Sequence, residues 1–137
     1  MTIGFTCGTF DLFHVGHILM LKEAKSVCDY LIVGIQTNPQ LDRKNKRKPI
    51  QSLFERIAQI KACKYVDRIV VYETEHDLED LLNFMDIDIR IVGEDHEGKS
   101  ITGQEICKKR NIPIYYNSRK HNFSTTELIE RIKNGKT

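Results

Sequence analysis

Gly8-Thr9-Phe10-Asp11-Leu12-Phe13-His14-Val15-Gly16-His17 is the stretch on which the reading of this chain turns. An apolar run, Ile3 to Cys7, precedes it, and a helical pattern, Ile18 to Val27, follows it. A strand therefore passes into a helix here, with two histidines, two glycines and a threonine at the junction. Unpaired N–H groups at a helix N-terminus favour anions. Glycine lets the main chain approach a ligand with no Cβ in the way. A His-x-Gly-His at that place suits a phosphate held between two imidazoles and a thin backbone. Two other readings stay open: ordinary helix-start histidines with turn glycines, and metal ligation. No Cys, His or carboxylate cluster with zinc-ligand spacing accompanies the pair.

Working outward, short β-rich runs alternate with amphipathic helical runs. The strand candidates are 3–7, 30–35, 68–71, 89–92 and 114–116. The helix candidates are 16–27, 52–63, 77–84, 102–110 and 125–133. Ser52 with Glu55, and Ser124 with Glu127, read as capping boxes. Leu31-Ile32-Val33 and Ile69-Val70-Val71 are continuous apolar runs, as expected of strands covered on both faces. The pattern predicts one domain over residues 1–137: an α/β, Rossmann-like, open parallel sheet of five strands. Its expected order is 3-2-1-4-5, with helices on both faces. Ligands of such sheets bind beyond the strand C-termini at the switch point. The loops 8–17, 36–50, 93–100 and 117–125 should converge there, and 36–50 is long enough to act as a lid.

Composition narrows the function classes. A net charge of +2 is too small for a general nucleic-acid binder. No apolar run approaches the ~20 residues of a membrane span, and no leader-like N-terminus is visible. Cys7, Cys28, Cys63 and Cys107 are widely spaced in or beside apolar stretches, so buried reduced thiols in a cytoplasmic protein are expected. Charge is uneven: residues 43–48 read Arg-Lys-Asn-Lys-Arg-Lys, and 73–80 read Glu-Thr-Glu-His-Asp-Leu-Glu-Asp. Such runs are commonly solvated surface.

Gly8-Thr9-Phe10-Asp11 followed by His14-Val15-Gly16-His17 resembles the signature of the cytidylyltransferases, within the wider HxGH nucleotidyltransferase group. Within it, the chain resembles the small bacterial glycerol-3-phosphate cytidylyltransferases. The resemblance extends through Asp29-Tyr30-Leu31, Tyr65-Val66-Asp67, Gly93-Glu94-Asp95 and Glu97-Gly98-Lys99 to Arg119 and Ser124-Thr125-Thr126. The family's second signature reads Arg-Thr-Glu-Gly-Ile-Ser-Thr; here Lys120-His121-Asn122-Phe123 fills its middle.

The resemblance implies transfer of CMP from CTP to an alcohol phosphate, most simply glycerol 3-phosphate, giving CDP-glycerol and pyrophosphate. His14, His17 and Lys46 become the catalytic candidates. Thr9, Phe10, Gly16, Asp95, Arg119, Ser124 and Thr125 become nucleotide-binding candidates, and Lys44 the acceptor-binding one. The loop's spacing to Arg56 departs from the family's, so Lys46 with Lys48 is the alternative assignment. Asp11 reads equally as structural or metal-proximal. A Mg²⁺ ion carried mainly by the triphosphate, and a homodimer, are also implied. The acidic run 73–80 lies where the family's glycerol-phosphate enzymes carry a basic residue. If it faces the site it disfavours an anionic acceptor, which leaves polyol phosphates, phosphoethanolamine and phosphocholine as alternatives. An ATP-using enzyme of the same scaffold and a non-catalytic nucleotide-binding module are the remaining readings.

Overall fold

The computed structural model describes residues 1–118 and 120–135. The strands are β1 (Ile3–Gly8), β2 (Tyr30–Gln36), β3 (Arg68–Tyr72), β4 (Ile89–Gly93) and β5 (Ile114–Asn117). The helices are α1 (Val15–Ser26), α2 (Leu53–Lys61), α3 (Glu75–Phe84), α4 (Gln104–Lys109) and α5 (Thr125–Asn134). Strand order is β3-β2-β1-β4-β5, all parallel, as the alternating pattern predicts. No helix of the described residues is long and apolar enough to cross a membrane.

The core has two parts, one on each face of the sheet. Phe5, Ile32 and Tyr72 pack with Leu78 and Leu82 of α3 and Cys107 of α4. Leu31, Val33, Ile35 and Ile91 pack with Leu21 and Ala24 of α1 and Ile60 of α2. Each fully buried Leu, Ile or Phe contributes about 1.5–3 kcal/mol, so these clusters, more than the caps, hold the layers together. None of the four cysteines is paired; Cys107 is buried and the other three are half-buried, less enclosed than expected.

Three aspartates pin the N-terminal edge of the sheet. Asp29 accepts from the Thr2 amide at 2.7 Å, Asp88 from Ile3 at 2.8 Å, and Asp67 from Leu31 at 2.8 Å. Asp67 also pairs with Lys25 of α1. Burial pushes the Asp67 carboxyl up, but Lys25 and the Leu31 amide outweigh it and hold it below its usual value.

The element boundaries differ from expectation where caps decide them. α3 begins at Glu75 rather than Asp77, because the Thr74 hydroxyl accepts from the Asp77 amide while Asp77 accepts from the Thr74 and Glu73 amides. The box at Ser52 and Glu55 forms in both directions. At α5 only half forms: Ser124 accepts from the Glu127 amide, and the Glu127 carboxylate pairs with Arg131 instead.

The opposite, C-terminal edge is open. β1 pairs with β2 through six residues, but with β4 only through Gly4–Ile89 and Phe5–Arg90. Beyond Phe5, β1 follows β2 and β4 follows β5, so the sheet splits at its switch point.

Candidate active site

The split opens into a cleft of about 550 Å³. Thr6 and Cys7 of β1 line one lip, and Ile91, Val92 and Gly93 of β4 the other. His14, Gly16, His17, Ser124 and Thr125 form the wall at the starts of α1 and α5. Arg43, Tyr72, Glu75, Leu78, Arg90 and Thr102 form the wall at the start of α3 and the approach to α4.

The two histidines cap their own helix. His14 is the N-cap of α1, with extended backbone, and its Nδ1 accepts from the Gly16 amide at 3.0 Å. The Nδ1 of His17 accepts from the His14 amide at 3.1 Å. This is a capping box built from imidazoles instead of Ser and Glu. It has a chemical consequence. A nitrogen that accepts an N–H carries no proton, so in the neutral form the proton of each ring is on Nε2. That tautomer follows from the hydrogen-bond pattern. The ring centroids are 3.9 Å apart, and Phe13 stacks on His17 at 5.6 Å. The Thr125 hydroxyl donates to the Asp11 carbonyl at 3.1 Å and lies 3.3 Å from Nε2 of His14. With its proton committed to Asp11, Thr125 accepts from the Nε2–H of His14. The first and last helices are thus coupled through one imidazole.

Gly16 is required by close approach. A Cβ there would lie 2.8 Å from Cε1 of His14 and 3.0 Å from the Phe123 carbonyl oxygen. The preceding turn is strained: Phe10 and Leu12 hold φ of 54° and 52° without being glycine. Two anchors hold that strain in place. The Asp11 carboxylate accepts from the Ile50 and Gln51 amides at 2.8 and 2.9 Å, and the Leu12 amide donates to Gln51 at 2.9 Å. Asp11 is therefore structural in this arrangement. Arg56, 2% exposed, donates to the carbonyls of Thr9, Gln36, Thr37 and Gln51. Burial lowers its pKa, and Asp11 opposes the shift.

The expected site residues fall into three groups. His14, Gly16, His17, Asp95, Ser124 and Thr125 all line the cleft. Thr9 and Phe10 do not: the Thr9 carbonyl serves Arg56, and the Phe10 ring is buried in the core. Lys44, Lys46 and Lys48 are exposed and outside the cleft lining, because their loop folds on itself. The Lys46 amide donates to the Arg43 carbonyl, and Gln40 donates to the Lys46 carbonyl. Arg43 is the basic residue of that run that does line the cleft. Arg119 lies outside the described residues.

Sequence reasoning missed Arg43, Glu75 and Arg90. The signal for Arg90 was present: a charged residue between Ile89 and Ile91 in an otherwise apolar strand, and buried charge is informative. Nothing in the sequence distinguishes Glu75 from its acidic neighbours. Only its place at the start of α3 brings it to the cleft, where it pairs with Arg43 at 3.6 Å. Its neighbours do other work: Asp77 caps α3, and Asp80 pairs with His76. Among the described residues, no group of three or more His, Cys, Asp or Glu side chains is placed to hold a metal ion.

The cytidylyltransferase-like family profile matches residues 5–131. Among curated relatives, the bifunctional protein HldE of Campylobacter jejuni is 36% identical over 135 residues, which is 98% of this chain and 28% of that protein. HldE of a Nitratiruptor species is 33% identical over 132 residues, 96% of this chain and again 28% of the relative. The chain thus spans just over a quarter of the length of these relatives. Among solved structures, a lipopolysaccharide core biosynthesis protein from Thermoplasma volcanium matches with a TM-score of 0.70 and 29% identity, over 90% of this chain and 99% of that one. Thermotoga maritima TmcAL, solved with α-thio ATP, matches with a TM-score of 0.68 over 98% of this chain and 50% of its own; at 12% identity it shares the fold alone.

Proposed function

We propose, from the premise that this chain belongs to the cytidylyltransferase-like family, that it transfers CMP from CTP to an alcohol phosphate and releases pyrophosphate. Glycerol 3-phosphate is the first acceptor to test. The observation that carries the reading is the imidazole capping box, which commits both Nδ1 atoms to backbone amides. It fixes the proton of each ring on Nε2, and a phosphate in the cleft would draw the His14 Nε2–H from the Thr125 hydroxyl as its charge builds.

In the reaction, an oxygen of the acceptor phosphate bonds to the α-phosphorus as the bond to the oxygen bridging to the β-phosphorus breaks. Pyrophosphate leaves with that electron pair. The acceptor phosphate is already ionised, so no general base is required. The chain's contribution is positioning and charge stabilisation. His14 and His17 donate to the α- and β-phosphate oxygens. The start of α5, with Ser124 and Thr125, receives the outer phosphates. Asp95 and Gly93 border the nucleobase, and Arg119 completes the nucleotide contacts. Lys46 and Lys44, or Lys46 and Lys48, act when the basic loop swings inward. The triphosphate itself would hold a Mg²⁺ ion, which would supply further positive charge there and ask few ligands of the protein.

A second reading keeps the chemistry and enlarges the acceptor to a polyol or sugar phosphate. It is favoured by the Glu75 carboxylate in the cleft wall, a hydrogen-bond acceptor for hydroxyls. The likeness to a lipopolysaccharide core biosynthesis protein supports it.

Pyrophosphate release from CTP, ATP, GTP and UTP is the test, each nucleotide paired with glycerol 3-phosphate, ribitol 5-phosphate, phosphocholine and phosphoethanolamine. Release with CTP and one alcohol phosphate is expected. Release with ATP alone moves the chain to adenylyl transfer on the same scaffold. Nucleotide binding without release from any pair makes it a non-catalytic module.

A further inference from the structure

The cleft wall next to α3 holds a charge that the chemistry described above does not use. Arg90 stands at the fork where β1 and β4 part, and only 4% of it is exposed. It lines the cleft. Its Nη1 donates to the Thr102 carbonyl, a neutral partner. Among the described residues no carboxylate pairs with it. Glu75, the acid of this wall, is engaged with Arg43 at 3.6 Å. Cys7 and Tyr72, the polar neighbours on the same face, cannot neutralise it, because burial pushes both groups up and keeps them uncharged.

A buried guanidinium whose partners are neutral, the Thr102 carbonyl and the uncharged Cys7 thiol, is a costly arrangement. The surrounding backbone nevertheless holds it in place. Gly103 takes φ of +80°, and a Cβ there would lie 2.2 Å from Cδ1 of Leu82 and 3.4 Å from Nη1 of Arg90. The bare turn at Thr102–Gly103 is what lets the Thr102 carbonyl reach the guanidinium. Arginine carries five N–H donors in a planar fork that matches phosphate oxygens, and it cannot be discharged at working pH.

We propose that Arg90 is the anchor of the acceptor subsite and binds the phosphate of the alcohol phosphate. The nucleotide then lies along the His14–Thr125 wall and the acceptor along the α3 wall, each on its own side of the split sheet. Glu75 and Arg43 stand on the acceptor's side. The Glu75 carboxylate accepts from acceptor hydroxyls and repels a second anionic group, so the subsite selects a hydroxylated monophosphate. This deepens the nucleotidyl-transfer reading and rests on it.

The first test needs no turnover. Inorganic phosphate, titrated into the nucleotide-free protein, should raise the melting temperature. The rise should fall most in Arg90→Gln and less in Arg90→Lys, which keeps charge but loses the fork, any remainder coming from the His14–Thr125 wall. Glu75→Gln, which retains Arg90, should shift the phosphate midpoint severalfold lower by removing a repelling charge. It keeps the proposal testable if Arg90→Gln fails to fold. The second test uses the acceptor found by pyrophosphate release: Arg90→Lys should raise its KM by about tenfold, the scale of one lost charge-assisted hydrogen bond. The nucleotide KM should move by less than about twofold. Equal phosphate shifts in wild type and Arg90→Lys, an unchanged or higher midpoint in Glu75→Gln, or a rise in nucleotide KM instead, would overturn the assignment. If no nucleotide and acceptor pair turns over, phosphate stabilisation that depends on Arg90 still supports the anion site, so the two failures are told apart.

Discussion

His14 and His17 each do two jobs with one ring. Nδ1 satisfies a backbone amide that the helix start would otherwise leave unpaired, and Nε2 carries the proton that a phosphate in the cleft would accept. Replacing either with alanine should therefore act twice. Loss of the cap should cost about 1 kcal/mol, a fall of a few degrees in melting temperature. Loss of the Nε2 donor should lower kcat by about 10²–10³. Calorimetry and steady-state kinetics on the same variants separate the effects, and full activity in both variants would remove the proposed roles. Gly16→Ala is a sharper case, because its Cβ meets His14 and the Phe123 backbone together. It should push the His14 ring aside and lower turnover at least as much as His14→Ala does.

At the scale of elements, the sheet has a stapled edge and an open one. Asp29, Asp67 and Asp88 tie the N-terminal ends of β1 and β2, while the C-terminal ends of β1 and β4 diverge into the cleft. The Asp67 staple has a pH signature. Its folded pKa is lowered, so its contribution is fully present above its unfolded pKa of about 4. That contribution is lost as pH falls through the lower folded value. Asp67→Asn should therefore melt below wild type at pH 7, and the gap should close as the pH is taken below about 4. A gap that stays constant down to pH 2 would show that the pair contributes through shape and not charge. The pair is partly exposed, so the effect should be modest, at most about 1 kcal/mol.

For the whole molecule, the open question of motion lies in residues 42–48. Among the described residues this basic loop is exposed and folded on itself, with Arg43 alone reaching the cleft. A triphosphate in the cleft would draw Lys44, Lys46 or Lys48 inward by charge. Trypsin cleavage within 43–48 should then slow several-fold on adding the nucleotide that supports turnover. Lys46→Ala should lower turnover with little change in melting temperature. Unaltered cleavage and unaltered kinetics together would make the loop a solvated surface.

Local chemistry determined the outline. Apolar runs such as Leu31-Ile32-Val33, separated by amphipathic helices, specify a parallel sheet covered on both faces, and handedness narrowed its order to a few topologies, of which 3-2-1-4-5 is the one formed. The placing of His14, Gly16 and His17 at a helix start was equally legible, because strand, turn and helix are contiguous there. Tertiary structure alone decided the rest. Asp11 was ambiguous until residues 50 and 51 arrived at its carboxylate. The lysines of the basic run and the acids of the 73–80 run look alike in sequence. Loop closure and a capping threonine put Arg43 and Glu75 in the cleft and left their neighbours outside. Arg90 is unusual in its strand, but its surroundings come from β1, β3 and the turn before α4, segments far apart in the chain. Charge and spacing are local properties that a sequence carries. Burial, and the lack of a carboxylate pair for Arg90 among the described residues, belong to the packed molecule.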